Sequence, residues 1–211
     1  MKSVLIIEDR KSRQENMLGK KKCQILRELE GVTVSARPEE VIEQLNAGNQ
    51  DVLANFSLII IHRSSIKQTG LNTLYEFGAK NNSSLVLFSG AINSVSYIKD
   101  KFELLQLSSL ELYSLRLINF LENYLDNNSE HLIEIAYGEK WRLNFLLQYR
   151  QLLFFKNQKE DLLREDLERN NVTKIDLMIV CENVLGNKYS NDTTQAMKDV
   201  DKEIKTIMAQ L

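Results

Sequence analysis

An uninterrupted apolar run, Leu58–Ile61, places the strongest constraint on the fold of this chain. All of its residues are large aliphatics, and three of the four are β-branched. A strand without alternating polar residues is covered on both faces, as in a parallel sheet between two layers of helices. His62 follows the run directly, at the carboxyl end of the predicted strand, where open α/β sheets place their ligands. The run therefore predicts an α/β fold and marks His62 as a candidate site residue.

The first half of the chain repeats this pattern, because short apolar runs alternate with segments of helical periodicity. The predicted strands are Val4–Ile7, Val32–Val34, Leu58–Ile61, Leu85–Phe88 and Leu104–Leu107. Helices are predicted between them, and Pro38 suits the first turn of one of these helices. Such β-α-β crossovers are almost always right-handed, with the strands parallel. We therefore predict a doubly wound, five-stranded parallel sheet of order 2-1-3-4-5 over residues 1–127.

Charge and cysteine content restrict the compartment and the partners. The 27 basic and 29 acidic residues nearly cancel, so the total charge gives no electrostatic footprint for nucleic acid. Cys23 and Cys181 match no metal-ligand spacing and are predicted to be reduced, buried thiols. The first apolar run is too short for a signal peptide or a membrane span. We expect a cytoplasmic protein that does not bind membranes, and nucleic acid is the weakest of its candidate partners.

Polar residues at the predicted strand ends are arranged as in a known signalling family. Glu8 and Asp9 follow the first strand, His62 ends the third, and Ser89 ends the fourth. Gly70 lies eight residues beyond His62 and is followed by a leucine. In this order and spacing, the first half of the chain resembles the receiver domain of response regulators. The resemblance implies a flavodoxin-like fold in which these side chains surround the phosphorylation pocket.

Two departures from the receiver pattern fall on residues that carry the family's chemistry. His62 stands where receivers have the phosphoacceptor aspartate, and Ser108 or Ser109 occupies the neighbourhood of a missing lysine. Replacing this aspartate with histidine removes both the nucleophile and an oxygen ligand, and magnesium prefers oxygen ligands. Without the lysine, a transferred phosphoryl group would lack its electrostatic partner. We predict a degenerate pocket with no catalytic residue, no cofactor and no metal, formed by Glu8, Asp9, His62, Ser89 and Ser108.

The pocket residues leave several interpretations open. His62 fits a phosphohistidine site, a proton switch or an inert polar residue at a strand end. Glu8 and Asp9 could pair with His62, could be structural relics, or, if any metal binds, would be its ligands. Ser89 fits a contact to a ligand or the satisfaction of backbone groups.

The second half of the chain changes character, because strand-like runs give way to helical periodicity. The change follows the polar junction Asp126–Ser129, and we predict an all-α domain or extension over residues 128–211. A predicted helix that carries Trp141 and Phe145 is apolar over most of its circumference. Such a helix must be buried between elements or against a partner.

Two further helices are candidates for interaction surfaces. The last predicted helix carries Ile204 and Ile207 in an apolar stripe, which suits either packing on its own domain or dimerisation. The helix that closes the first domain carries Leu112 and Leu115. It belongs to the face, roughly Val95–Leu125, through which the resemblance implies that receivers pair.

Together these features favour a phosphorylation-independent pseudo-receiver of two-component signalling that is not an enzyme. We expect it to act through protein partners, with the helical tail serving self-association, as a homodimer, or output. The alternative is an atypical response regulator or sensor that retains metal, ligand or phosphoryl binding at the pocket of Glu8, Asp9, His62 and Ser89. A DNA-binding transcription regulator ranks third, because no predicted helix of the second half has the one-sided basic face of a recognition helix.

Overall fold

The computed structural model describes residues 2–92, 95–114, 117–126, 131–158 and 174–210. The chain divides into two compact units, Met1–Ala136 and Tyr137–Leu211, called here the first and the second unit. The predicted domain boundary after Asn127 falls in residues 127–130, which lie outside the described residues.

The first unit is a mixed α/β structure with one six-stranded sheet. Its strands are β1 (Val4–Ile7), β2 (Val32–Val34), β3 (Leu58–His62), β4 (Ser84–Ser89), β5 (Ser96–Lys99) and β6 (Glu103–Ser108). Its helices are α1 (Lys11–Leu18), α2 (Lys20–Glu28), α3 (Pro38–Asn46), α4 (Gln68–Asn81), α5 (Ser109–Ser114), α6 (Leu117–Leu125) and α7 (Leu132–Tyr137). Every side chain of β1 and β3 is buried, as their apolar composition predicts.

The strand order is β2-β1-β3-β4-β6-β5, so the predicted five-stranded order 2-1-3-4-5 is wrong. Five strands are parallel, but β5 pairs antiparallel with β6 at the edge of the sheet. The link from β5 to β6 is a tight turn in which the Asp100 N–H donates to the Phe102 carbonyl oxygen over 3.3 Å. A turn this short holds two strands side by side and antiparallel, and it leaves no room for a crossover helix.

Both faces of the sheet are covered by helices. Alternate strand residues, such as Ile59, Ile61 and Leu87, form one core with apolar residues of α3 and α4. On the opposite face, the Tyr113 ring of α5 packs edge-on against Phe88 of β4, with ring centroids 5.6 Å apart. This packing fixes where α5 meets the carboxyl end of the strands.

The described residues of the second unit form three helices, α8 (Trp141–Gln158), α9 (Lys174–Leu185) and α10 (Thr193–Met208). Helix α8 packs against both of the others. Arg142 of α8 donates from Nε to Glu203 Oε1 over 2.7 Å and from Nη1 to the Leu185 carbonyl oxygen over 3.1 Å. The Asp192 carboxylate accepts from the N–H groups of Thr194 and Gln195 and caps α10. Among the helices that the structure describes, none combines the length and apolar character needed to cross a bilayer.

Candidate functional site

Parallel strands bring the predicted site residues to one edge of the sheet. Glu8 and Asp9 follow β1, His62 ends β3 and Ser89 ends β4. Ile7 is paired with Ile61, and His62 with Phe88, so these ends are level with one another. Glu8 is only 3 % exposed and His62 only 1 %. Polar groups this deeply buried must find partners within the chain, because water does not reach them.

His62 is held at Nδ1 by the Asp9 carboxylate, and the Arg13 guanidinium lies against its ring. Its Nδ1 lies 2.8 Å from Asp9 Oδ1 and 2.7 Å from Ser65 Oγ. Arg13 Nη2 lies 2.9 Å from Nε2 and 3.1 Å from Nδ1. A guanidinium can only donate hydrogen bonds, and the Asp9 carboxylate can only accept them. The Asp9 contact therefore places a proton on Nδ1. Arg13 Nη2 is nearly equidistant from the two ring nitrogens, so the guanidinium lies over the face of the imidazole.

The buried Glu8 carboxylate is satisfied entirely by groups of the chain. Oε1 accepts from the Arg10 backbone N–H over 2.9 Å and from Arg13 Nη2 over 3.2 Å. Oε2 accepts from the Tyr113 hydroxyl over 2.7 Å. Burial, together with this hydrogen bond to Glu8, raises the pKa of Tyr113, which keeps the phenol a donor. Glu8 thus has the partners that a buried anion requires.

The Asp9 carboxyl group is half-buried and carries the opposite shift. Its burial alone would raise its pKa. Hydrogen bonds from Ser65 and His62 outweigh that effect, and the pKa of Asp9 is lowered below its usual value. Asp9 is therefore an anion at neutral pH and fixes the orientation of the imidazole.

The two serines at the ends of β4 and β6 play separate roles. Ser89 Oγ lies 2.6 Å from Ser64 Oγ and accepts from the Ala91 N–H over 3.2 Å. Ser108 caps α5: its Oγ accepts from the Glu111 N–H over 3.1 Å, and Glu111 Oε2 accepts from the Ser108 N–H over 3.0 Å. The structure therefore joins Glu8, Asp9 and His62 in one hydrogen-bond network with Arg13. The partners of Ser89 and Ser108 lie outside this network.

Three members of this network, Arg13, Ser65 and Tyr113, were not predicted from the sequence. Ser65 is three residues beyond His62, in a single 3₁₀ turn that follows β3. Arg13 lies in the first turn of α1, soon after the acidic pair. An arginine close to two carboxylates in sequence was the available signal, whereas Tyr113 is 105 residues from Glu8 and left none.

The geometry is unlike a nucleophilic triad. In a Ser-His-Asp triad the carboxylate and the hydroxyl contact different ring nitrogens. Here Asp9 and Ser65 both contact Nδ1, and the partner of Nε2 is a guanidinium, which is not a nucleophile. The arrangement orients the histidine and offers it no nucleophile to activate.

The residues present do not fit the magnesium ion that the receiver resemblance implies. One ligand atom from each of Glu8, Asp9 and His62 lies within 4.8 Å of the others. One of these three is an imidazole nitrogen, and magnesium strongly prefers oxygen. In addition, Arg13 supplies a positive charge to two of the three, Glu8 and His62.

The predicted interaction residues lie mostly inside their own units. Leu112, Phe145 and Ile204 are buried, whereas Trp141 and Ile207 are half-buried. The Arg142 guanidinium lies over the Trp141 ring, 5.9 Å from its centroid. Leu115 lies outside the described residues.

The site can also be compared with known proteins. No protein-family model, no curated protein and no solved structure matches this chain.

Proposed function

We propose that this chain is a phosphorylation-independent, receiver-like signalling module that acts through protein contacts and catalyses no reaction. One observation carries the proposal: the Arg13 guanidinium contacts both Glu8 and His62, so the charges at the carboxyl edge of the sheet are balanced within the chain. A phosphorylation switch needs the opposite arrangement, an open nucleophile and an anionic pocket that binds a metal.

The surroundings of His62 support this proposal. Attack on a phosphodonor requires a nitrogen lone pair that the donor can approach in line. His62 is 1 % exposed, and the Arg13 guanidinium covers its ring at 2.9 Å from Nε2. At the end of β6, where a receiver has its lysine, Ser108 and Glu111 cap a helix. The Glu111 carboxylate would repel a phosphoryl group rather than neutralise it.

Exposed apolar residues on β5 and α5 support the protein-contact part of the proposal. Ile98 is 53 % exposed and Leu110 is 65 % exposed. Both fall in the region 95–125, through which the resemblance implies pairing. Because β5 is a strand, self-association here would use a sheet edge in place of a helix.

Phosphorylation is tested on the full-length chain with magnesium and acetyl phosphate, and the readout is intact mass. A receiver that has the aspartate and the lysine is the positive control in the same reaction. We expect no mass increase on this chain. A phosphoryl adduct that disappears in His62→Asn would refute the proposal.

Self-association is tested by sedimentation velocity of the full-length chain at increasing micromolar concentrations. We expect a concentration-dependent dimer that is weakened in Ile98→Lys and unchanged in Glu76→Lys, a surface substitution on α4. A chain that remains monomeric at all concentrations would remove self-association from the proposal and leave contacts with other proteins.

A second candidate function is a metal or ligand sensor. It is favoured by the close approach of Glu8, Asp9 and His62, whose ligand atoms lie within 4.8 Å of one another. A rise in the melting temperature of the unmodified chain with magnesium or zinc would support the sensor. The absence of any shift would favour the interaction module.

A further inference from the structure

The buried Glu8 carboxylate needs a cationic partner. Its side chain is 1 % exposed, whereas the Arg13 side chain is 20 % exposed. An isolated buried carboxylate is strongly unfavourable, and removal of its partner typically costs several kcal/mol. Among the residues that the structure describes, Arg13 is the cation in contact with it, at 3.2 Å from Glu8 Oε1. Its guanidinium is therefore required for the charge balance of the pocket.

The same guanidinium competes with any metal for His62. Arg13 Nη2 lies 3.2 Å from Glu8 Oε1 and 2.9 and 3.1 Å from the two ring nitrogens of His62. A metal ion bound to Glu8 and His62 would lie about 2.0–2.2 Å from its ligand atoms, in the space that the guanidinium fills. Two cations that close together repel each other, so Arg13 in this position excludes a metal.

Without Arg13, the remaining side chains form a metal-ligand set. Glu8 and Asp9 offer carboxylate oxygens and His62 offers a nitrogen, all within 4.8 Å of one another. Two carboxylates and one imidazole suit zinc, cobalt or nickel better than magnesium, because imidazole is a good ligand for these ions. The hydrogen bond of Tyr113 to Glu8 would then help to orient a ligand.

We infer that Arg13 is a built-in replacement for a divalent cation, and that its removal opens a site for a divalent transition metal at Glu8, Asp9 and His62. This inference rests on the proposed function, because it explains how the pocket is charge-balanced without a metal. Arg13 acts as a positioning residue: it holds the Glu8 carboxylate and the His62 imidazole in one arrangement.

The test is cobalt binding by untagged full-length protein, measured by the visible absorption of bound Co²⁺ and by competition with Zn²⁺. We expect Arg13→Ala to bind at least tenfold more tightly than the unmodified chain and to gain thermal stability with the metal. Arg10→Ala is the matched control. It removes a positive charge three residues away, at an exposed side chain whose backbone N–H alone contacts Glu8. It should bind no more cobalt than the unmodified chain.

A double variant identifies the ligand. In Arg13→Ala/His62→Asn the gained binding should be lost, whereas cobalt held at some other surface position would remain. Magnesium should not reproduce the effect in Arg13→Ala. Equal cobalt affinity in the unmodified chain and in Arg13→Ala would overturn the inference.

Loss of folding is also informative. Arg13→Ala leaves the Glu8 carboxylate without its cation, so it should be less stable in a chelator and should recover when metal is added. Arg13→Gln, which keeps a donor and loses the charge, is the milder variant. If both variants remain unfolded with Co²⁺ or Zn²⁺ present during refolding, the inference fails.

The two proposals can fail separately. Phosphorylation of the unmodified chain would refute the proposed function, whatever the Arg13 variants bind. An unphosphorylated chain whose Arg13→Ala variant folds but binds no cobalt would refute only the inference about Arg13.

Discussion

Glu8 is the residue of the first unit that depends most on its partners, because its carboxylate is buried at the end of a buried strand. Three donors converge on it, one from α1, one from the backbone before α1 and one from α5. Hydrogen bonds to a buried charge contribute more than neutral ones, since the group that is left unpaired keeps its full desolvation cost. The Tyr113 hydroxyl is the easiest of the three to remove without disturbing the packing.

Tyr113→Phe should destabilise the first unit by about 1.5–3 kcal/mol, because it removes a hydrogen bond to a charged group and retains the ring. The measurement is chemical denaturation followed by circular dichroism. Tyr75→Phe is the control, since the Tyr75 ring stacks on Phe102 and its hydroxyl makes no hydrogen bond within the described part of the chain. Equal effects of the two variants would contradict the role given to the Tyr113 hydroxyl.

The lowered pKa of Asp9 predicts that the stability of the fold decreases at acid pH. Its pKa is lowered in the folded state, so the folded state binds a proton less readily than the unfolded chain, whose aspartates titrate near pH 3.9. The stabilisation is fully present above that pH and is lost as the pH falls through the lowered folded-state value. Between about pH 5 and 3, the melting temperature of Asp9→Asn should therefore fall less than that of the unmodified chain. Parallel curves for the two proteins would exclude this contribution.

The site residues that the sequence predicted are placed by the order of the strands, whereas those that it missed are placed by the packing of helices on the sheet. Glu8, Asp9 and His62 could be predicted together, because the carboxyl ends of adjacent parallel strands meet at one edge of a sheet. The contacts of Arg13 and Tyr113 depend on how α1 and α5 are rotated on the sheet. Periodicity identifies which face of a helix is apolar, but not which polar side chain reaches a given strand end.

At the scale of elements, the close approach of α4 to α3 depends on Gly70. A methyl group at this position would lie 2.5 Å from Asn46 Oδ1 and 2.6 Å from Ile66 Cγ1. The Asn46 side chain also accepts a hydrogen bond from the Lys67 N–H over 3.0 Å, at the start of α4. The position of this glycine eight residues beyond His62 therefore has a packing reason in this chain.

Gly70→Ala should destabilise the first unit by about 1–3 kcal/mol, the usual cost of an overpacked contact. The steric cost exceeds the gain of about 1 kcal/mol that alanine brings to a helix interior. Gly90→Ala is the matched control, because no heavy atom lies within 4 Å of its added methyl group. Denaturation midpoints of both variants test this prediction, and a stabilised Gly70→Ala would contradict it.

The elements differ in how well the sequence predicts them. Strands β1, β3 and β4 were predictable, since a short run of large apolar residues is typical of a strand that is covered on both faces. Strand β5 was missed because Ser96–Lys99 has two polar ends and only Tyr97 and Ile98 between them. Its formation depends on pairing with β6, a tertiary interaction that a short half-exposed segment does not encode by itself.

Across the whole molecule, each unit carries one buried cysteine. Cys23 of α2 and Cys181 of α9 are 2 % and 1 % exposed. Burial raises the pKa of both thiols, that of Cys181 to about 12 with a smaller contribution from Glu182. Because the thiolate is the reactive species, both should resist modification in the folded protein.

Labelling with a disulfide reagent at pH 8 should therefore be at least about a hundredfold slower in the native chain than in denaturant, since the thiol must first be exposed. Cys23→Ser leaves Cys181 as the reporter of the second unit, and Cys181→Ser leaves Cys23 as the reporter of the first. Rapid labelling of either single-cysteine variant under native conditions would show that its unit opens readily.

The hydrogen bond from Tyr113 to Glu8 also affects when the first unit can fold during synthesis. Its two residues are separated by 105 positions, so Glu8, directly after β1, is synthesised long before its partner in α5. At translation rates of about 5–20 residues per second, that interval is roughly 5–20 s. During it, the first strands hold an acidic residue that they cannot bury favourably. The amino-terminal half of the first unit should therefore stay open until α5 has emerged, and should then close in a single late step.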